Sequence, residues 1–317
     1  MSRSTQVDVA ICTWNRSALL QQTLESISKL EIADDVELRL IVVNNNSTDA
    51  TADVLERFGQ SQFAQRHKFV SLVEADQGHT FSRNCAVCFL REELKENGTE
   101  PGENDLVVWT DDDVIVAPDW ITKYVTAAKE NFGFDFFGSV IEPKFAIKPP
   151  SWIEENWDTV KGCFAHRDLG IEPIEFTKTR LPYGANFAIR TRVQKAFEFD
   201  VLLGRRGESV MGEDELDLMR RMLDGGHAGV WVPGAVVEHV IPADRMGETY
   251  VFDYFVGQGV AVLAKGESQF ANLKEMQREA KRQYWLYKLK RPFVASPNWM
   301  AHMVRSALAK GQADSSK

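Results

Sequence analysis

The run VVWTDDDV at residues 107–114 empties an apolar segment directly into three adjacent carboxylates, Asp111, Asp112 and Asp113. Like charges this close oppose one another's ionisation, so such a triplet is held together by a cation or by solvent. Oxygen ligands at a strand end, completed by the phosphates of a substrate, suit Mg2+ or Mn2+. A cation held there would act as a Lewis acid on the charge of a departing diphosphate. Taken alone, the triplet reads equally well as a solvated acidic turn. A second acidic cluster, Glu213, Asp214, Glu215 and Asp217 of GEDELDL, opens a stretch of helical pattern. The helix dipole favours acids in a first turn, and a carboxylate in that place could also take a proton from a hydroxyl, help worth about 10² to 10⁴ in rate. His239, in VVEHVIP, follows an apolar run, where a histidine is as a rule structural.

The elements that must position these groups show in the periodicity. Residues 7–12 (VDVAIC) and 38–43 (LRLIVV) are apolar and β-branched, and they flank a segment in which Leu20, Leu24, Ile27 and Leu30 recur at helical spacing. This is a βαβ unit. The pattern continues with a helix over 51–58, a strand over 69–73, a helix from about 82 to 96 and a strand over 106–109. Strands alternating with helices imply an α/β fold with a mostly parallel central sheet, in which ligands bind beyond the carboxyl ends of the strands. The polar clusters fall there: Thr13, Trp14, Asn15 and Arg16 after the first strand, residues 44–49 after the second, and the aspartates after the fourth. Ser47, Thr48 and Asp49 are also good caps for the helix that follows. From Pro143 to Pro182 the periodicity fails, which predicts a long irregular stretch holding Trp152 and Trp157. Helical pattern returns over 213–223 and stops at Gly225 and Gly226, residues 231–239 read as one short strand, and the chain beyond about Arg245 reads as basic and helical.

A length of 317 residues with 44% hydrophobic content supports one large domain and an appendage. No stretch approaches the roughly 18 to 20 apolar residues of a membrane helix, and no signal-peptide core is seen, so a cytoplasmic protein is expected. Cys12, Cys85, Cys88 and Cys163 are too few for a disulfide scaffold and read as reduced thiols. The net charge of −9 speaks against nucleic acid as a partner. It is unevenly spread: from Lys274 onward ten Lys or Arg meet three Asp or Glu, leaving +7 on the tail and −16 on the rest.

The ordered series VAICTWNR, VVNNNSTDAT, Gly78 to Asn84 with its final Arg-Asn, WTDDDV with Pro118-Asp119-Trp120 behind it, and PYGANFAIR followed by GEDELDLMRR resembles the family 2 glycosyltransferases of bacterial type, which have the GT-A fold. The resemblance covers about residues 7–245 and rests on the order of five motifs. It implies a GT-A domain over 1–245 and a basic, mainly helical extension over 246–317. The implied activity is an inverting, metal-assisted transfer of a hexose from a nucleotide-diphosphate sugar, UDP or dTDP favoured, to a glycan or lipid-linked hydroxyl. It implies Asp113 as the principal ligand of Mn2+ or Mg2+, with Asp111 on the ribose side and His239 near the metal. Thr13, Asn15, Arg16, Asn44, Asn46, Arg83 and Asp112 would form the donor site, with Arg83 beside the diphosphate, where its planar fork suits phosphate oxygens. Many relatives carry Asp where this chain has Asn44, which leaves the choice of base open. Asp214 would be the catalytic base and Glu213 its substitute. Tyr183, Gly184 and Asn186 would lie on the acceptor side, glycine there letting backbone approach a sugar. Apart from the resemblance, Trp152 and Trp157 in the irregular stretch read equally well as aromatics that stack on an acceptor sugar or lipid and as anchors that pin the loop onto the domain.

A sugar nucleotidyltransferase is the competing enzyme class, but it needs a glycine-rich phosphate loop after the first strand, and CTWNRS has no glycine. A non-catalytic GT-A-like binding protein is the other alternative, disfavoured by the intact acidic clusters. The tail mixes Tyr284, Trp285, Leu286 and Tyr287 with Lys288, Lys290 and Arg291, a composition suited to peripheral contact with the inner face of a membrane. An acceptor-side lid or a homo-oligomer surface is its competing use.

Overall fold

The computed structural model describes residues 3–203, 214–264, 266–292 and 296–316. By their contacts they form two compact units: the described residues of 1–143, 165–208 and 212–240, and those of 144–164 and 241–317.

The first unit begins with β1 (Thr5–Thr13), α1 (Ser17–Ile27), β2 (Val36–Asn44), α2 (Thr51–Gly59), α3 (Gln62–Arg66), β3 (Lys68–Val73), α4 (His79–Asn97) and β4 (Leu106–Asp111). The apolar runs of β1, β2 and β4 become parallel strands with both faces covered, the expected fate of strands joined by helical crossovers, whereas β3 at the sheet edge is only partly covered. Alternation assigns the faces. Val7, Val9 and Ile11 of β1 pack with Leu20, Leu24 and Ile27 of α1, whereas Ala10 packs with Ala86, Val87 and Leu90 of α4. The chain continues through β5 (Val114–Val116), α5 (Trp120–Glu130), β6 (Phe136–Gly138) and β7 (Ile141–Phe145).

The short helices α6 (Ser151–Glu155) and α7 (Trp157–Val160) follow, and after them β8 (Asn186–Arg190), α8 (Thr191–Gln194), α9 (Asp214–Asp224), β9 (Gly229–Trp231) and β10 (Val237–Ile241). Seven strands form one sheet in the order β3-β2-β1-β4-β8-β6-β9, in which β8 alone runs antiparallel to its neighbours β4 and β6. A smaller sheet has the order β5-β10-β7. The chain moves outward from β1 to β3 and then returns through α4 to β4 on the other side of β1. In open sheets such a reversal leaves a crevice for ligands at the carboxyl ends of the flanking strands, which here are β1 and β4. Register lines up its rim, since Thr13 pairs with Asn44 and Cys12 with Asp111.

Two expectations are corrected here. Residues 231–239 are not one strand: β9 joins the large sheet and β10 the small one. Pro233 and Gly234 lie between them, and proline has no N–H to donate to a ladder. The stretch 143–182 is not uniformly irregular either. Its α6 and α7 are too short to display a 3.6-residue period, and Trp152, Ile153, Val160, Cys163 and Phe164 belong to the core of the second unit with Met246, Val251, Trp299 and Met303. The rest of that unit is α10 (Glu248–Ala264), α11 (Leu273–Lys290) and α12 (Ser296–Ser315), with both α10 and α11 packed on α12. None of the described helices is long and apolar enough to cross a membrane, and all four cysteines are free thiols.

Candidate active site

The loops after β1 and β2 are tied to each other by side chains that accept from backbone. Asn15 and Asn46 adopt left-handed backbone (φ 52° and 56°), which asparagine tolerates better than most residues. Asn15 Oδ1 accepts from Thr48 N (2.7 Å) and Asp49 N (3.3 Å), and Asn15 N donates to Ser47 Oγ (3.0 Å). Asp49 accepts from Ser17 N (2.9 Å), the first residue of α1, and from Thr51 N (3.0 Å), the first of α2. One carboxylate thus caps two helices; desolvation alone would raise its pKa, but the bonds from Thr51 and Ser17 together outweigh it and hold the pKa down at about 2. Asn44 Oδ1 accepts from Ser47 N (3.0 Å), while Asn46 is exposed. Asn45, which sequence reasoning did not single out, is buried and joins this loop to the start of α4. Its Nδ2 donates to Asp76 O (2.7 Å) and its Oδ1 accepts from Gly78 N (2.8 Å).

The three aspartates part company. Asp112 turns inward, accepting from Thr13 Oγ1 (2.7 Å) and Arg16 Nη1 (3.0 Å), while Thr23 Oγ1 donates to its backbone carbonyl (2.9 Å). Burial pushes its pKa up to about 6 against the pull of Arg16. Arg16 also lies 3.2 Å from Asp113 Oδ2. The repulsion that the sequence assigns to a cation or to solvent is therefore relieved in part by a guanidinium. In this structure Thr13 and Arg16 serve the triplet, and Asp112 serves the loop after β1. Asp111 ends β4 half-buried.

Asp113 is buried, and its Oδ1 stands 3.2 Å from His239 Nε2. Two contacts bring them together: β10 pairs antiparallel with β5, setting His239 opposite Val114, and Val240 N donates to Asp113 O (2.8 Å). Neighbouring ligands of an octahedral cation with bonds of about 2.1 Å stand about 3 Å apart, so this pair fits Mn2+ or Mg2+. Among the described residues no group of three or more His, Cys, Asp or Glu could hold a metal. A cation here would complete its shell from phosphate oxygens and water, as Mg2+ commonly does.

The second acidic cluster starts α9. Asp214 is fully buried (0% exposed), and its Oδ2 is 2.9 Å from Arg83 Nη1 and 3.7 Å from His79 Nδ1. His79 and Arg83 lie four residues apart on α4 and so share a face. Arg83 also reaches Glu215 Oε2 (3.4 Å), and its guanidinium lies over the rings of Phe199 (5.0 Å), Phe187 (5.7 Å) and Trp109 (5.8 Å). Burial favours a protonated Asp214, but Arg83 and His79 overcome it and hold that carboxyl well below the usual range. Glu215 moves the other way, pushed up to about 7 by burial and then by the charge of Asp214. The expectation that Arg83 stands beside a diphosphate thus meets an arginine engaged with the acidic cluster. Glu213 lies outside the described residues.

The two acidic groups share one electrostatic neighbourhood. The charge of Asp111 acts on Arg83 and on Glu215, and the Cys12 thiol feels Arg83, Asp111, Asp214 and Asp112 together. Antiparallel pairing of β4 with β8 helps, because Thr110 faces Asn186 and Thr110 Oγ1 donates to Ala185 O (2.9 Å), bringing the segment before β8 alongside the end of β4. Gly184 in that segment packs tightly. A Cβ there would lie 2.9 Å from Arg83 Nη2 and 3.0 Å from Glu215 Oε1, so the glycine makes room for these side chains.

Two residues expected on the acceptor side prove to be core. Asn186 is fully buried with all four of its side-chain hydrogen bonds made. Its Oδ1 accepts from Trp120 Nε1 (2.9 Å) and Tyr124 OH (2.8 Å), and its Nδ2 donates to Val140 O (2.8 Å) and Ala235 O (2.7 Å). An amide so engaged has nothing left for a sugar. Trp152, 9% exposed, packs on Trp299 (6.0 Å) in the second unit. Tyr183 is half-buried under Arg167, whose guanidinium stands 4.8 Å above its ring. Sequence reasoning missed the place of His79. Its only signal there is the spacing of four before Arg83.

Residues 5–252 match the family described as "Glycosyltransferase like family 2". The chain is 24% identical over 223 residues to the glucosyl-dolichyl phosphate glucuronosyltransferase of Haloferax volcanii, covering 69% of this chain and 64% of that protein. It is 21% identical over 248 residues to the succinoglycan biosynthesis protein ExoM of Rhizobium meliloti, covering 77% of this chain and 70% of that one. Among solved structures, the mannosyltransferase PcManGT of Pyrobaculum calidifontis, in complex with GDP-Man and Mn2+, aligns with a TM-score of 0.53 at 16% identity, over 99% of this chain and 74% of that one. S. aureus TarS aligns with a TM-score of 0.52 at 13% identity, over 98% and 55%. These likenesses show a GT-A-like fold.

Proposed function

The chain belongs to glycosyltransferase family 2, and from that premise we propose that it moves a sugar, with inversion, from a uridine or thymidine diphosphate donor to a hydroxyl of a glycan or lipid-linked acceptor. The observation that carries this reading is the common field of the two carboxylate groups, with Asp111 and Asp214 acting on the same Cys12 and Arg83. An acidic group fit to hold a cation stands beside one fit to take a proton, which sugar transfer to a hydroxyl requires. The H. volcanii relative, named for transfer of glucuronic acid to a glucosyl-dolichyl phosphate, supports a lipid-linked acceptor.

Asp113 and His239 would hold Mn2+ or Mg2+, which when bound supplies positive charge for the leaving diphosphate. Asp111 would serve the ribose side, and Arg16, within 3.0 Å of Asp112 and 3.2 Å of Asp113, would offset the repulsion between them. Asn44 and the residues around it would receive the base. Asp214 would be the general base. While paired with Arg83 it is a weak one, because its charged form is so strongly favoured. Movement of Arg83 toward the oxygens of an arriving diphosphate would restore basicity to Asp214 at the moment an acceptor can react. Thermal stabilisation by a panel of nucleotide sugars, with and without Mn2+, followed by turnover of those that bind, tests the reading. Asp113→Ala should abolish the response to Mn2+ in donor binding. An unchanged response would move the cation elsewhere, and no stabilisation by any nucleotide sugar would overturn the proposal.

A further inference from the structure

Helix α11 buries Met276, Gln283 and Tyr287 and leaves its opposite side open. On that side Trp285 is 71% exposed and Leu289 67%, with Tyr284 at 39% beside them. At 3.6 residues per turn, Lys274, Arg278, Lys281, Arg282, Lys288 and Leu289 all fall within about 60° of Trp285 around the helix axis, and the five cations among them are exposed. No acid shares this arc. Glu275 and Glu279 lie outside it, Glu279 reaching back to Arg282 (2.8 Å and 2.9 Å). Lys288 Nζ stands 5.6 Å from the Tyr284 ring, so cation and aromatic ring are already associated.

We infer that this face of α11 docks on an anionic lipid surface. A basic arc carrying an exposed tryptophan and leucine matches both parts of such a surface: the cations meet the negative headgroups, and Trp285 and Leu289 enter the boundary with the acyl chains. A second copy of the chain is a poor occupant, because isologous contact would set five cations against five. The inference stands apart from the catalytic reading, since it uses none of the residues placed at the candidate active site.

The full chain should sediment with vesicles of phosphatidylcholine and phosphatidylglycerol in equal parts, remain in solution with phosphatidylcholine alone, and be released by high salt. Each cation at such a surface is worth about fivefold in affinity, so Arg278→Gln with Lys281→Gln should weaken binding about thirtyfold. Trp285→Ala should weaken it as well, with the melting temperature unchanged. Should either variant fail to fold, Lys288→Gln with Leu289→Ser repeats the test on the same arc. Equal binding to both kinds of vesicle, no loss in the variants, or binding of RNA in place of vesicles at the same salt would each overturn the inference. Nucleotide-sugar binding measured on the same preparations separates this failure from failure of the transferase reading.

Discussion

Replacing Asp214 with Asn separates the two things its carboxylate does, pairing with Arg83 and, on the proposal above, accepting a proton. The pair is 2.9 Å apart with both side chains buried. Removing one partner of a buried ion pair ordinarily costs about 3 to 5 kcal/mol, because the other charge is left uncompensated. Here Glu215 stands 3.4 Å from the same guanidinium, and its carboxyl is pushed up to about 7 partly by the charge that the substitution deletes. With that charge gone, Glu215 ionises more readily and takes over the pairing. The expected loss of stability is then about 1 to 3 kcal/mol, the cost of exchanging one buried charge-assisted hydrogen bond for a longer one. The chemical step should slow by about 10² to 10⁴, which is roughly 3 to 5 kcal/mol in the barrier. Single-turnover rates at saturating donor with Mn2+ measure the second quantity, urea unfolding the first, and calorimetric donor affinity should change little. A rate within about tenfold of the parent would place the base elsewhere. A stability loss above about 3 kcal/mol, the range of an uncompensated buried charge, would refute the compensation by Glu215.

Asn186→Ala should be severe, because it strands two buried donors, Trp120 Nε1 and Tyr124 OH, and the carbonyl of Ala235 at about 1 to 3 kcal/mol each, while Val140 O keeps its bond from Val237 N (3.1 Å). A loss below about 2 kcal/mol in urea, together with a selective rise in acceptor KM, would return Asn186 to the acceptor site. Gly184→Ala sets a methyl about 3 Å from Arg83 and Glu215. It should cost about 1 to 3 kcal/mol of stability and lower turnover, and an unaltered melting temperature with full activity would show that the two side chains are not held there. Glu215→Gln carries a pH signature. In the folded chain this carboxyl keeps its proton up to about pH 7, whereas unfolded it ionises from about pH 4.3. Between those values the unfolded state holds fewer protons, so stability falls as pH rises. Relative to Glu215→Gln, the parent should lose at most about 4 kcal/mol across that window and level off above it, and a flat or rising difference would be contrary to the burial of Glu215.

Local pattern was enough for the strands and helices that set up the site. Residues 7–12, 38–43 and 106–109 are apolar without interruption by a charge that lacks a partner nearby, Asp8 being paired with Arg39 on β2 (2.6 Å), and each became a covered strand. The acidic triplet had to follow a strand end, because the apolar run stops where the aspartates begin. What that pattern could not decide was the partner of each polar side chain. Asp111, Asp112 and Asp113 are consecutive and chemically identical, yet one turns to Thr13 and Arg16, one to His239, and one ends β4. Asn186 looks like a ligand in its motif and is bonded on all sides in the fold. Arg83 meets Asp214 across 131 residues, and residues 144–164 pack with helices that begin after residue 241. Periodicity and capping are local properties of the chain, legible wherever burial alternates with position. Which donor meets which acceptor across a hundred residues or more depends on how the sheet order and the covering helices pack, and that is settled only when the whole core closes.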